Sequence, residues 1–62
     1  MEDENNMLEN MIQALIGARA DFSKFYDDGN SAAGTRVRKV MQELKTSAQN
    51  LRTHIQETKN SR

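Results

Sequence analysis

Basic side chains recur every seven residues along the C-terminal half of this 62-residue chain. The residues at this spacing are Arg38, Lys45, Arg52 and Lys59. Seven residues make almost two turns of an α-helix, so a helical segment would carry all four along one edge. Guanidinium and ammonium groups donate hydrogen bonds to phosphate oxygens. The spacing therefore indicates a row of cations suited to binding phosphate groups.

The start of the same segment offers more groups that bind anions. Arg36 and Lys39 extend the basic row around the first turns, and Ser31 and Thr35 carry hydroxyls able to bond a phosphate oxygen. A helix that begins here would add exposed N–H groups and the positive end of its dipole. The candidate phosphate-binding residues are Thr35, Arg36, Arg38, Lys39, Lys45 and Arg52.

The two halves of the chain carry opposite charge. Residues 1–31 hold seven acids and two bases, and residues 32–62 hold seven bases and two acids, so the formal net charge of zero hides a strong dipole. Such asymmetry indicates a polyanion partner or head-to-tail pairing between chains. The basic row is then either a phosphate site or a flank that is solvated or paired with the acidic residues 2–9 of another subunit. Asp27 and Asp28, just before the second helix, would repel an anion there.

Other kinds of chemistry lack the residues they need. The chain has no Cys and a single His, His54, so a metal site is not expected. The serines have no visible His partner, and Asp27 and Asp28 belong to a turn without a predicted cleft. We therefore expect no enzyme activity, no cofactor and no small-molecule substrate. No apolar run approaches the roughly 18 residues of a membrane span, and the N-terminus lacks the features of a signal peptide, which favours a cytoplasmic protein with no membrane partner.

Apolar residues recur at alternating spacings of three and four in two segments, which is the period of a helix seam. The first series is Leu8, Met11, Leu15, Ala18, Phe22 and Phe25, and the second is Val37, Met41, Leu44, Ala48, Leu51 and Ile55. Between them, Gly29 suits the left-handed residue that ends a helix, and Asn30 or Ser31 can cap the next one. We predict helix 1 over about residues 4–27, a turn at about 28–30 and helix 2 over about 31–58, within a single domain of residues 1–62. A later start of the second helix, with Thr35 as its cap, is the alternative.

The short turn makes the two helices antiparallel neighbours. One register places Phe25 on Gly34, Phe22 on Val37, Ala18 on Met41, Leu15 on Leu44, Met11 on Ala48 and Leu8 on Leu51. A single hairpin buries too little apolar surface to offset the entropy of ordering the chain, and Ile12, Ile16 and Val40 widen its apolar face. The predicted fold class is therefore all-α, an antiparallel two-helix hairpin that dimerises into a four-helix bundle.

One segment resembles a known motif. Residues 29–39 read Gly-Asn-Ser-Ala-Ala-Gly-Thr-Arg-Val-Arg-Lys. This stretch resembles the turn motif of the bacterial histone H1-like proteins, small nucleoid proteins of the chlamydial Hc1 type, in which a helix leads into Gly-Asn-x-Ala-Ala and then Arg-x-Arg. The resemblance implies a helical hairpin that binds and compacts DNA without reading its sequence. Through the motif, Arg36 and Arg38 carry over most directly as DNA-binding residues, followed by Lys39 and Lys45.

The residues and the resemblance together predict a small, nucleoid-associated, histone-like protein. Its expected partners are double-stranded DNA, bound through the backbone and compacted or coated, and further copies of itself in a homodimer or a higher oligomer. The alternative is an oligomerising protein–protein interaction module with no nucleic-acid role. In that case the oppositely charged halves would dock a protein partner or drive self-assembly.

Overall fold

The protein is an antiparallel hairpin of two long helices in a computed structural model that describes residues 4–61. Helix α1 spans Glu4–Asp28 and helix α2 spans Ser31–Asn60. The two helices pack along their length into a rod of 50 × 17 × 15 Å. The predicted all-α hairpin is thereby confirmed, while residues 1–3 and 62 of the predicted domain lie outside the described residues. Neither helix is both long and apolar enough to cross a membrane within that range.

The turn between the helices depends on a glycine and an asparagine. Gly29 has a φ of +67°, a left-handed conformation that glycine adopts at little cost, as predicted. Its N–H donates to the Phe25 carbonyl at 3.1 Å, and the Asn30 N–H donates to the Lys24 carbonyl at 3.1 Å. These bonds continue the backbone hydrogen bonding of α1 just past its C-terminus, as is usual where a glycine ends a helix.

Asn30 is the residue that caps α2. Its backbone is extended, and its side-chain Oδ1 accepts a hydrogen bond from the Ala33 N–H at 3.0 Å. The sequence left Asn30 and Ser31 as alternative caps, and the structure selects Asn30. Helix α2 consequently begins at Ser31, and the alternative start at Thr35 is wrong.

Small residues bring the helices close together near the turn. Ala18 and Ala33 are the buried apolar residues of the described chain, at 6% and 0% exposed. Phe25 packs on Gly34, as predicted, and a Cβ added to Gly34 would lie 2.5 Å from Cδ1 of the Phe25 ring. Real Cβ atoms do not approach other atoms so closely, so this ring contact requires glycine at position 34.

The inward face of α1 differs from the predicted seam. Leu8, Leu15 and Phe22 were expected to face α2, but they are 51%, 49% and 52% exposed. The partly covered positions are instead Met7, Met11, Ala14 and Asp21, together with the buried Ala18. These exposures do not fit the predicted burial of the three side chains in the seam, although Phe22 still lines one groove together with Val37. The smaller side chains at positions 14 and 18 let the two backbones approach, and the larger ones are turned aside.

Candidate nucleic-acid interface

Helix α2 carries the basic row along its exposed surface. Arg38, Lys45 and Arg52 are exposed, and each is separated from the next by about 10.5 Å of helix rise. Arg36 forms an ion pair with Asp21, whereas no residue of the basic row forms an ion pair within residues 4–61. The cations of the row are therefore available to an external anion.

Polar side chains, most of them neutral, flank this row. Lys45 borders a surface depression with Gln42, Thr46, Gln49 and Asn50, and Arg52 borders another with Gln49, Thr53, Gln56 and Glu57. Arg52 also donates a hydrogen bond to the Gln49 Oε1 at 3.4 Å. Amide and hydroxyl groups donate to phosphate oxygens without adding charge, so the neutral neighbours suit a phosphate-binding surface, whereas the Glu57 carboxylate beside Arg52 opposes an anion there.

The glutamines form a second row that the sequence reasoning missed. Gln42, Gln49 and Gln56 repeat at the same seven-residue spacing as the bases and lie beside them on α2. A search for polar residues at the basic row's own period would have found them. We use the name cationic face for the surface formed by Arg38, Lys45, Arg52 and these three glutamines.

Arg36 is engaged within the hairpin instead. Its Nε donates to the Asp21 Oδ2 at 3.0 Å, and its Nη2 donates to the Asp21 Oδ1 at 2.9 Å. These hydrogen bonds lower the pKa of Asp21 below its ordinary value of 3.8, and the charges of Arg36 and Lys24 act in the same direction. The same pair raises the pKa of Arg36. The sequence analysis named Arg36 as a phosphate-binding candidate without a partner in its own hairpin, and the structure pairs it with Asp21.

The candidate residues therefore do not form one continuous site. Arg36 and Arg38 are two positions apart, which turns them about 200° from each other around α2. Arg38 joins Lys45 and Arg52 on the cationic face, whereas Arg36 reaches α1 on the other flank. Lys39 is exposed in the third turn, and the Thr35 hydroxyl donates to the Ser31 carbonyl at 3.3 Å.

An aromatic groove lies beside the cationic face at the turn end. Tyr26 packs against Phe22 with ring centroids 4.8 Å apart and against Phe25 at 4.9 Å in an edge-on arrangement. These rings, with Met41, line an open groove of about 500 Å³ that Arg38 borders. The three rings pack on one another, but they do not form a buried core, because all three are exposed on their outer side.

The groove continues along the hairpin as a wide apolar surface. A second groove shares Phe22 and Met41 and extends to Leu15, Ile16 and Arg19. We define the apolar face as the exposed large apolar residues Leu8, Ile12, Leu15, Ile16, Phe22, Phe25, Tyr26, Met41 and Ile55. All but the last two belong to α1. The helices thus differ in character, since α1 presents exposed apolar side chains and α2 presents cations.

The described part of the chain contains no cluster of side chains that could bind a metal ion. Within residues 4–61, no three His or acidic side chains come close enough together to hold a metal ion. His54 lies in a shallow depression with Glu4, Ile55, Thr58 and Lys59.

A family profile described as histone H1-like protein Hc1 matches residues 5–61, nearly the whole chain. No curated protein and no solved structure matches the sequence. The profile spans both helices and the turn, so it covers every residue of the cationic face and the Asp21–Arg36 pair.

Proposed function

The chain belongs to the family of the histone H1-like protein Hc1, and on that premise we propose that it binds double-stranded DNA through backbone phosphates, independently of sequence, and compacts or coats the duplex. Family membership supports the DNA-binding, nucleoid-associated part of this proposal and an architectural role instead of an enzymatic one. The resemblance drawn from the turn motif is thereby confirmed. The residues that bind and the way in which they bind are the finer part of the proposal.

The unpaired cationic face is the observation that carries this proposal. Arg38, Lys45 and Arg52 have no carboxylate partner in the described structure, and the glutamines beside them add neutral hydrogen-bond donors. From Arg38 to Lys59 the row extends about 32 Å along α2, close to the roughly 34 Å of one duplex turn. We place Lys39 and Thr35 at the turn end of the same surface.

Affinity in this arrangement depends on the number of phosphates neutralised. Each contact releases counterions, so the logarithm of the association constant falls with the logarithm of salt concentration by about 0.9 per phosphate. Three or four contacts from one hairpin give weak binding, and two hairpins held together double the number of contacts.

Self-association would supply the second hairpin. A compact monomer of 7.1 kDa exposes about 4,100 Å², whereas this chain exposes 5238 Å², an excess of about 1,100 Å². Permanent homodimers bury on the order of 1,000 Å² or more per subunit. We therefore propose that the apolar face is covered by a second copy of this chain in a four-helix bundle, which leaves the cations along its edges.

The test is a titration against two unrelated duplexes of equal length at several salt concentrations. We expect equal affinity for both duplexes and a steep loss of affinity as salt rises. Replacing Arg38 or Lys45 with Ala should reduce the salt dependence by about one contact per chain, equally on both sequences. Lys24→Ala, which removes the same charge from α1, is the matched control and should change the slope little. A salt slope that is unchanged in Arg38→Ala and Lys45→Ala would contradict the site.

The apolar face also favours a second candidate, an oligomerising interaction module without a nucleic-acid role. Its exposed aromatic and aliphatic side chains are the observation in its favour. The module requires that Arg38→Ala leave any residual DNA binding unchanged. A protein that forms a stable oligomer but does not retard DNA at low salt would establish the module and exclude the DNA-binding function.

A further inference from the structure

We propose that the Asp21 carboxylate competes with DNA phosphate for Arg36 within the hairpin. As a result, the protein binds DNA less tightly than it would if all its basic residues were free. This inference rests on the proposed DNA-binding function. The observation behind it is the two-point contact in which both oxygens of the Asp21 carboxylate accept hydrogen bonds from Arg36.

The geometry of the pair imitates phosphate recognition. A guanidinium group binds a phosphate through two parallel N–H donors, and it binds a carboxylate in the same way. The Nε and Nη2 donors of Arg36 both point at Asp21, so the guanidinium edge that would grip a phosphate is occupied. The family motif Arg-x-Arg thus presents Arg38 as a free cation and Arg36 as a neutralised one.

The two partners differ in how far they reach into solvent. The Asp21 side chain is 22% exposed, because α1 holds it on the side that faces α2, whereas the Arg36 side chain is 53% exposed. A phosphate approaching from solvent therefore meets Arg36 before it meets the carboxylate. The guanidinium can exchange one anion for the other by a side-chain movement, without unfolding either helix.

The energies allow such an exchange. A solvent-exposed ion pair contributes little to stability, and a phosphate contact that releases counterions can replace it. Lys24, one turn after Asp21 on α1, already lowers the pKa of Asp21 through its charge. It would partly balance the carboxylate once Arg36 has turned to a phosphate.

A double-mutant cycle with Asp21→Asn, Arg36→Ala and the double variant provides the test. We expect Asp21→Asn to bind DNA about three- to tenfold more tightly and to steepen the salt slope by about 0.9 per chain, the value of one added phosphate contact. The double variant should bind like Arg36→Ala, because the gain requires the guanidinium. Asp27→Asn, an equal charge change at an exposed acid without an ion pair, should leave the slope unchanged.

The outcomes separate this inference from the function on which it rests. If Asp21→Asn gains affinity equally with and without Arg36, the effect is general electrostatics and the competitor role is wrong. If wild type binds DNA and Asp21→Asn does not gain, the inference fails and the function stands. If wild type shows no binding at low salt, the proposed function itself fails.

A second variant guards against misfolding of Asp21→Asn. Arg36→Lys keeps the charge but replaces the two-point contact with a single ammonium, which Asp21 holds less firmly. We expect this variant to bind DNA at least as tightly as wild type, with unchanged helical circular dichroism. Binding weakened to the level of Arg36→Ala would show that Arg36 already contacts phosphate in wild type, and it would overturn the inference.

Discussion

Individual side chains near the turn determine how closely the two helices approach. Phe25 lies against the bare Cα of Gly34, and Ala33 is fully buried beside it. Asp21 and Arg36 join the helices by paired hydrogen bonds on the other flank. The turn end of the hairpin is therefore joined by a ring contact and by a charged contact.

Gly34→Ala should destabilise the hairpin although it removes a poor helix former. Alanine gains about 1 kcal/mol of helix propensity, but overpacking typically costs 1–3 kcal/mol, and the new Cβ would overlap the Phe25 ring. We expect a net loss on the order of 1 kcal/mol in urea denaturation. In a Phe25→Ala background the same substitution should stabilise by about 1 kcal/mol, since the clash is gone.

Gly17→Ala is the matched control, because nothing lies within 4 Å of a Cβ added there. It should stabilise the protein by up to about 1 kcal/mol through propensity alone. If Gly34→Ala stabilises the wild-type protein as Gly17→Ala does, the ring does not occupy the position described.

At the scale of the helices, local signals were more informative than the long apolar pattern. The turn, the left-handed Gly29 and the cap were predictable because each depends on a few neighbouring residues. The inward face of α1 was not, since Leu8, Leu15 and Phe22 have the same seven-residue spacing as the partly covered residues Met7, Ala14 and Asp21. A modest rotation of a helix about its axis leaves that spacing unchanged. The Asp21–Arg36 pair was missed for the same reason, because it requires the rotated helix.

Helix α2 should depend on its cap for stability. Asn30→Ala removes the acceptor of the Ala33 N–H and should lower the free energy of unfolding by about 1 kcal/mol in urea denaturation. Asn30→Ser or Asn30→Asp should retain most of the stability that the cap provides. The same replacement in the helix interior, Asn50→Ala, should be neutral or slightly stabilising. Equal stabilities for Asn30→Ala and wild type would show that the cap does not contribute.

At the scale of the whole molecule, the protein is an elongated rod with a large exposed apolar face. Its radius of gyration of 14.8 Å exceeds the roughly 11 Å of a compact chain of this length, so the rod has much surface and little interior. Burial within the hairpin is limited mostly to small side chains. Stability of the isolated chain should therefore depend on association.

Charged substitutions on the apolar face should dissociate the oligomer. We expect wild type to sediment as a dimer or higher oligomer at micromolar concentration, with a melting temperature that rises with protein concentration. Leu15→Glu or Phe22→Glu should yield a monomer with a lowered melting temperature, because a carboxylate would be buried without a partner. Ala20→Glu, at an exposed α1 position outside the apolar face, is the control and should leave the oligomer intact. A folded wild-type monomer at that concentration would exclude the four-helix bundle.

Placing the acids mainly on one helix and the bases mainly on the other also affects the kinetics of an encounter with DNA. A chain with zero net charge experiences little long-range attraction to a polyanion. Close to the DNA, however, the electric field of the duplex acts on the dipole of the protein and turns α2 toward the DNA. The association rate constant should then be nearly independent of ionic strength, because salt screens a long-range attraction that is already small. Most of the salt dependence would appear in how long each complex persists, so added salt should shorten its lifetime more than it delays its formation.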